Sequence, residues 1–250
     1  MKLEFVPLLR VQRELYDIPR GAERFRAYLH TMIDPATLDL RLPFAALNPM
    51  GKDHVPALLD QLVALNAEKT AANAVDAAAA RLTDAPGFFK VTLVVSDDAM
   101  GAWTHRTTSD FSHRYEGDAL RKRGWIAGIL WTGDEPSLEA VRLEVLMGIF
   151  RVDHVQRNGP AQTLREMMVQ EGRVMAAAGR PLPNLTPDEI RAAREVIRPH
   201  LDSRERPIII ACLYGDDAAL SLGYAARGLG ANAGFSVARR DAQTPMEVQT

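Results

Sequence analysis

The chain has 250 residues, 47% of them hydrophobic and 25% charged, ordinary globular usage and enough for one large α/β domain over 1–250. Its formal net charge of −2 provides no basic field to draw it to phosphate backbones or anionic lipid, so neither nucleic acid nor membrane is an expected partner. Cys212 is the only cysteine, which excludes an intrachain disulfide and the multi-cysteine zinc frameworks and fits a reducing compartment. Lys2, Glu4, Pro7 and Arg10 interrupt any signal-peptide core, and no stretch approaches the ~18 apolar residues of a membrane span, so the expected location is the cytoplasm.

In chain order, Leu3–Val11 is an apolar run containing Pro7, which fits only an edge strand. Gly21–Met32 has helical spacing, and Leu38–Ala46 is expected to be a second strand, ending in the turn Asn48-Pro49-Met50-Gly51. Asp53 is placed to cap a helix whose stripe begins Val55, Leu58, Leu59 and Leu62; the alanine-rich run 71–80 continues in helical pattern. Phe88–Ser96, Trp125–Trp131 and Ile208–Tyr214 are continuous apolar runs, as expected of strands covered on both faces. Between the last two, helices are expected at about 137–156, 161–178 and 187–201, the third announced by Thr186-Pro187-Asp188-Glu189. A helix at 217–227 and a short strand at 234–238 complete the pattern. Strands alternating with helices predict an α/β fold with a mostly parallel open sheet flanked by helices, and the helix-rich segment 137–202 is a candidate subdomain or insertion.

Four expected strands lead into helices through polar turns: Asn48–His54, Ser96-Asp97-Asp98, Thr132-Gly133-Asp134-Glu135 and Gly215-Asp216-Asp217. In a parallel sheet all four would share the carboxyl edge, where open α/β folds bind ligands. Single acids there serve as helix caps, but one acid of each doublet would be left to hold a cation or a hydroxyl. Asp97, Asp98 and Asp217 are therefore candidate ligands for a divalent cation such as magnesium, manganese or zinc, the candidate cofactor. Asn48, Lys52, His54, Trp103, Arg106 and Asp216 are candidate substrate contacts; Gly51-Lys52 ahead of a helix start favours an anion, although the P-loop spacing is absent. The connection from Gly101 to Tyr115 is dense in functional side chains, with His105, Asp110 and His113 as a further set of metal-ligand type.

Glu171 falls in the stripe Leu164, Met168, Met175 and Ala178, so a carboxylate occupies the apolar face of its helix. It is expected to meet a cation, with Lys69 one conceivable partner, or to serve as a raised-pKa acid/base or a metal ligand, unless the helix buries a different face. Lys69 itself continues an apolar stripe with Asn66 and Asn73, unless that helix bends or rotates. Arg151 and His154 suit a helix C-terminus, and Cys212 suits a core thiol. Gly-x-Ser-x-Gly and Gly-x-Gly-x-x-Gly signatures are absent.

These residues compose a hydrolase or lyase acting on a small polar, anionic substrate. Lys52 and Arg106 would hold the anion, and His105 or Glu171 would move a proton. The alternative is a non-catalytic ligand-binding or interaction protein in which the helical segment, with Met147, Met167, Met168 and Met175, forms a partner surface or a homo-oligomer contact.

Overall fold

A computed structural model describes residues 1–99 and 104–243. In chain order the elements are β1 (Lys2–Phe5), α1 (Leu9–Glu14), α2 (Ala22–Met32), α3 (His54–Ala64), α4 (Ala67–Arg81), β2 (Phe88–Ser96), α5 (Arg106–Tyr115), α6 (Asp118–Lys122), β3 (Trp125–Trp131), α7 (Leu138–Asn158), α8 (Leu164–Ala177), α9 (Pro187–Ile197), α10 (Arg206–Tyr214), α11 (Asp216–Ser221) and α12 (Ala233–Asp241). Short 3-10 turns lie at Leu15–Asp17, Phe44–Ala46 and Arg198–His200. The chain forms two compact units, Met1–Ser109 with Gly117–Ile149, and Asp110–Glu116 with Phe150–Thr250. No helix among the described residues is long and apolar enough to cross a membrane.

The first unit carries a parallel open sheet of order β1-β2-β3, flanked by helices, as the alternating pattern predicts. Leu3 pairs with Phe89, and Val95 with Leu130. β3 is buried along its whole length and β2 from Val91 onward, which explains why neither sequence alternates. β1 stops at Phe5 opposite Val91, which would leave the β2 edge unpaired beyond that point. The fully buried side chain of Gln12 takes the place of the missing strand. Its Nε2 donates to Leu93 O at 2.8 Å and its Oε1 accepts from Val95 N at 2.9 Å, so the carboxamide stands in for a peptide group.

The expected strand at Leu38–Ala46 is absent. Only an isolated Ile33–Leu40 bridge forms, Leu38 has a φ of 55°, and Phe44 is buried by the 3-10 turn. Pro43 removes a ladder donor from this segment, so a turn serves Phe44 where a strand could not. The single helix expected after Asp53 is broken at Asn66, which is left-handed with φ 55°. The break rotates the buried face from Val55, Leu59 and Leu62 to Ala67, Ala71, Ala74 and Ala78 and leaves Asn66, Lys69 and Asn73 exposed, which removes that anomaly.

The described part of the second unit is helical. Ile208–Tyr214 and Gly234–Ala238, both expected as strands, lie in α10 and α12. Short apolar runs do not reveal their period, and α10 is buried from Ile209 to Leu213 with Pro207 in its first turn, where its missing N–H costs no helical bond. Gly234 marks a close helix approach: a Cβ there would meet the Cys212 carbonyl. The expected 217–227 helix ends at Ser221, after which Gly223 (φ +74°) reverses the chain. The capping box at Thr186 and Glu189 forms as expected, and a second one at Thr163 and Glu166 starts α8.

Candidate functional site

β2 and β3 are parallel, so Ser96-Asp97-Asp98 and Thr132-Gly133-Asp134 emerge together at the carboxyl edge of the sheet. The segment leading into α3 brings Asn48 and His54 to the same place. Asp97 is 2% exposed; its Oδ1 meets His54 Nε2 at 2.8 Å and its Oδ2 accepts from Asn48 Nδ2 at 2.8 Å. The orientation of the Asn48 amide is fixed, because its Oδ1 accepts from Met50 N at 2.9 Å and leaves Nδ2 for the carboxylate. Ala99 N donates to Asp97 Oδ1 at 3.2 Å. The Thr132 hydroxyl lies 3.2 Å from both Asp97 Oδ1 and Asp98 Oδ1.

With Nε2 facing a carboxylate, that nitrogen carries the ring proton, and in the neutral ring the lone pair sits on Nδ1. Nδ1 is buried and has no hydrogen-bond partner among the described residues, and the same holds for Ser96 Oγ at the end of β2. Burial opposes ionisation of Asp97, yet the hydrogen bonds from His54, Asn48 and Ala99 outweigh it and hold the carboxyl below its ordinary range.

Asp98 accepts from Gly133 N at 2.7 Å and from Arg106 Nη1 at 3.0 Å. Gly133 leaves room for this, since a Cβ would meet Asp98 Oδ1 at 3.1 Å. Arg106 also forks onto Asp134 at 2.7 and 2.6 Å and lies over the Trp131 ring at 5.3 Å from its centroid. Arg106 is thus committed to two carboxylates, contrary to its expected role of holding a substrate anion. Neither Asp97 nor Asp98 is left without donors, contrary to the expectation that one acid of the doublet is spare.

Of the expected site residues, the structure assembles Asn48, His54, Asp97, Asp98 and Arg106. Lys52 is exposed just ahead of α3, and Asp53 makes no side-chain cap bond there. His105 is exposed ahead of α5, its carbonyl accepting from Thr108 Oγ1 and Ser109 N. Trp103 lies outside the described residues. Asp216 and Asp217 follow a helix in the second unit, so they are not at a sheet edge. Asp216 ties a loop by accepting from Arg227 N and Gly228 N at 2.8 Å each, and Asp217 is exposed. Among the described residues no group of three or more His, Cys, Asp or Glu side chains is placed to hold a metal ion. The cation site expected from Asp97, Asp98 and Asp217 is therefore not formed. Thr132 and Asp134 join the site without having been singled out; their polar turn was the available signal.

In the second unit Glu171 is fully buried and paired, which replaces the acid/base role expected as its alternative. Its Oε1 accepts from Arg151 Nε at 2.7 Å, its Oε2 from Arg151 Nη2 at 2.9 Å and from Arg114 Nη1 at 2.5 Å. Arg114 continues to Asp110 at 2.6 Å, which also accepts from the Tyr214 hydroxyl at 2.8 Å. Burial disfavours the Glu171 charge, but the two guanidinium groups prevail and hold its carboxyl far below the usual range. A carboxylate so held does not exchange protons near neutrality. Lys69, the partner considered from sequence, is exposed and belongs to the other unit. Arg151 does not serve the dipole at a helix end as expected, since α7 runs on to Asn158; an arginine inside the apolar run Met147–Val152 is the sequence signal of its buried role. Asp110 and His113 are helical residues of α5, and burial pushes Cys212 up to about 11, which keeps it an inert thiol.

No protein-family model matches this chain, and comparison with curated proteins and with solved structures finds no match.

Proposed function

We propose that the chain is an enzyme acting on a small polar substrate at the carboxyl edge of its parallel sheet, with His54 as the group that moves a proton. The observation that supports this is the Asn48–Asp97–His54 series: a buried carboxylate held at one oxygen by a fixed amide and at the other by an imidazole whose second nitrogen has no partner. A base oriented by a carboxylate, which is itself oriented by a third group, is the arrangement that general base catalysis uses. Nδ1 would take a proton from a water or a substrate O–H or C–H. Asp97 would then stabilise the imidazolium through Nε2–H without accepting the proton. Nδ1 is shut from solvent, so the substrate must displace the groups covering it, and the transfer would proceed in a water-poor setting. With Arg106 committed to Asp98 and Asp134, Lys52 is the candidate contact for an anionic substrate group.

Hydrolysis and elimination both use such a base. The single buried cysteine is in keeping with a reducing, cytoplasmic setting. The apolar residues most exposed in the helical unit are Val169 on α8, Leu182 in the connection between α8 and α9, and Leu220 on α11. The test is turnover of a panel of carboxylic esters, phosphomonoesters and β-hydroxy acids by the wild type and by His54→Gln, with thermal unfolding as the check on folding. A wild-type activity that falls by about 10²–10⁴ in the variant is expected. Turnover that survives the substitution contradicts the assignment.

A further inference from the structure

Arg24 of α2 is 7% exposed, and among the described residues no carboxylate lies within ion-pair reach of it. Its acceptors are main-chain carbonyls: Nε donates to Ile18 O at 2.6 Å, Nη1 to Gly51 O at 3.4 Å and Nη2 to Tyr16 O at 3.5 Å. The guanidinium also lies over the Tyr16 ring, 5.1 Å from its centroid. Burying a cation without an anion is costly, so the position calls for an explanation beyond packing.

The carbonyls belong to two stretches. One is the turn 16–18 after α1; the other is the turn 48–51 that delivers Asn48 to the sheet edge. Tyr16 holds the second stretch as well, its hydroxyl donating to Asn48 O. An unbroken series of contacts therefore runs from Arg24 through Tyr16 and Gly51 to Asn48, and from the Asn48 amide to Asp97 and His54.

We infer that Arg24 is a positioning residue for the His54–Asp97 pair, fixing the turn that aims Asn48 at the carboxylate. The inference rests on the reading of that pair as the working site. The planar fork is what the role requires, because its donors must reach carbonyls on two separate segments, and a lysine ammonium on a flexible stem spans fewer of them.

The experiment follows the His54 ring by NMR in protein carrying ¹⁵N-histidine, its signals assigned by their loss in His54→Gln. The Nε2 proton bound to Asp97 and the ring tautomer are compared in wild type, Arg24→Lys, Tyr16→Phe and Asn48→Ala. Arg24→Lys and Tyr16→Phe are expected to move the His54 signals toward the pattern of Asn48→Ala, with loss of the downfield Nε2 proton, while unfolding stays cooperative. A drop in Tm with wild-type His54 signals would mean that Arg24 is only structural and overturns the inference. Should Arg24→Lys not fold, Arg24→Gln, which keeps a planar donor without the charge, decides on the same terms. Full turnover by His54→Gln would overturn the proposed function while leaving the coupling of Arg24 to the ring intact, so the two failures are distinct.

Discussion

Arg151 grips Glu171 with two parallel hydrogen bonds, Nε to Oε1 at 2.7 Å and Nη2 to Oε2 at 2.9 Å, around a carboxylate that is fully buried. Such a pair contributes little net stability over an apolar core, yet removing one charge leaves the other stranded. Glu171→Gln would take the bidentate carboxylate from Arg151 and one of the two carboxylates from Arg114, which keeps Asp110, and is expected to destabilise the fold by about 3–5 kcal/mol. Denaturant unfolding of the variant checks this. A loss below about 1 kcal/mol, the range of exposed pairs, would show that the pair is not buried in solution.

Gln12 offers a second stability test. Gln12→Met keeps the side chain's length and removes the amide, which leaves Leu93 O and Val95 N buried without partners. Each stranded group costs about 1–3 kcal/mol, so roughly 2–6 kcal/mol of destabilisation is expected from thermal unfolding. A variant as stable as wild type would show that water or a backbone shift satisfies the edge.

Acid sensitivity is expected of the helical unit. Burial, reinforced by Arg151 and Arg114 against the opposing pull of Asp110 and Glu171, holds His113 down at about 4. For a histidine whose folded value is depressed, the unfolded chain binds the proton first. Stability is therefore complete above the ordinary value near 6.5 and falls as pH drops through the folded value. Glu171 and Asp110, both held low by their arginines, extend the loss to more acid pH. Unfolding free energies measured from pH 7 to pH 4 should fall by about 3 kcal/mol from His113, and His113→Phe should flatten that part of the profile. An unchanged slope in the variant would assign the acid sensitivity elsewhere.

The elements that read correctly are those with local signals. β2 and β3 match their expected bounds because a buried parallel strand is a continuous β-branched run between polar turns, and α9 begins where its capping box says it should. Ile208–Tyr214 has the same composition as a buried strand, and only its packing makes it a helix. That one error carried Asp216 and Asp217 to an edge they do not occupy. Asp97 and Asp98 were legible as site residues from the strand-to-turn pattern. Asn48, His54 and Arg106 were legible there too, as substrate contacts, but that they turn to Asp97 and Asp98 was not, because those pairings are set by tertiary contacts that nothing in the local sequence announces. The anomaly at Glu171 was legible as a demand for a partner, and the identity of that partner was set by packing within the second unit.

The measurement that bears most directly on the central claim is backbone amide chemical-shift mapping while a panel of small carboxylates, phosphate and polyols is titrated in. If the carboxyl edge is the binding site, a ligand should move the amides of Met50, His54, Ala99, Thr132 and Gly133 together, and His54→Gln should weaken or abolish the response. Shifts confined to α7, α8 and α9, with the edge unmoved, would contradict the account and place the chain's business on its helical surface.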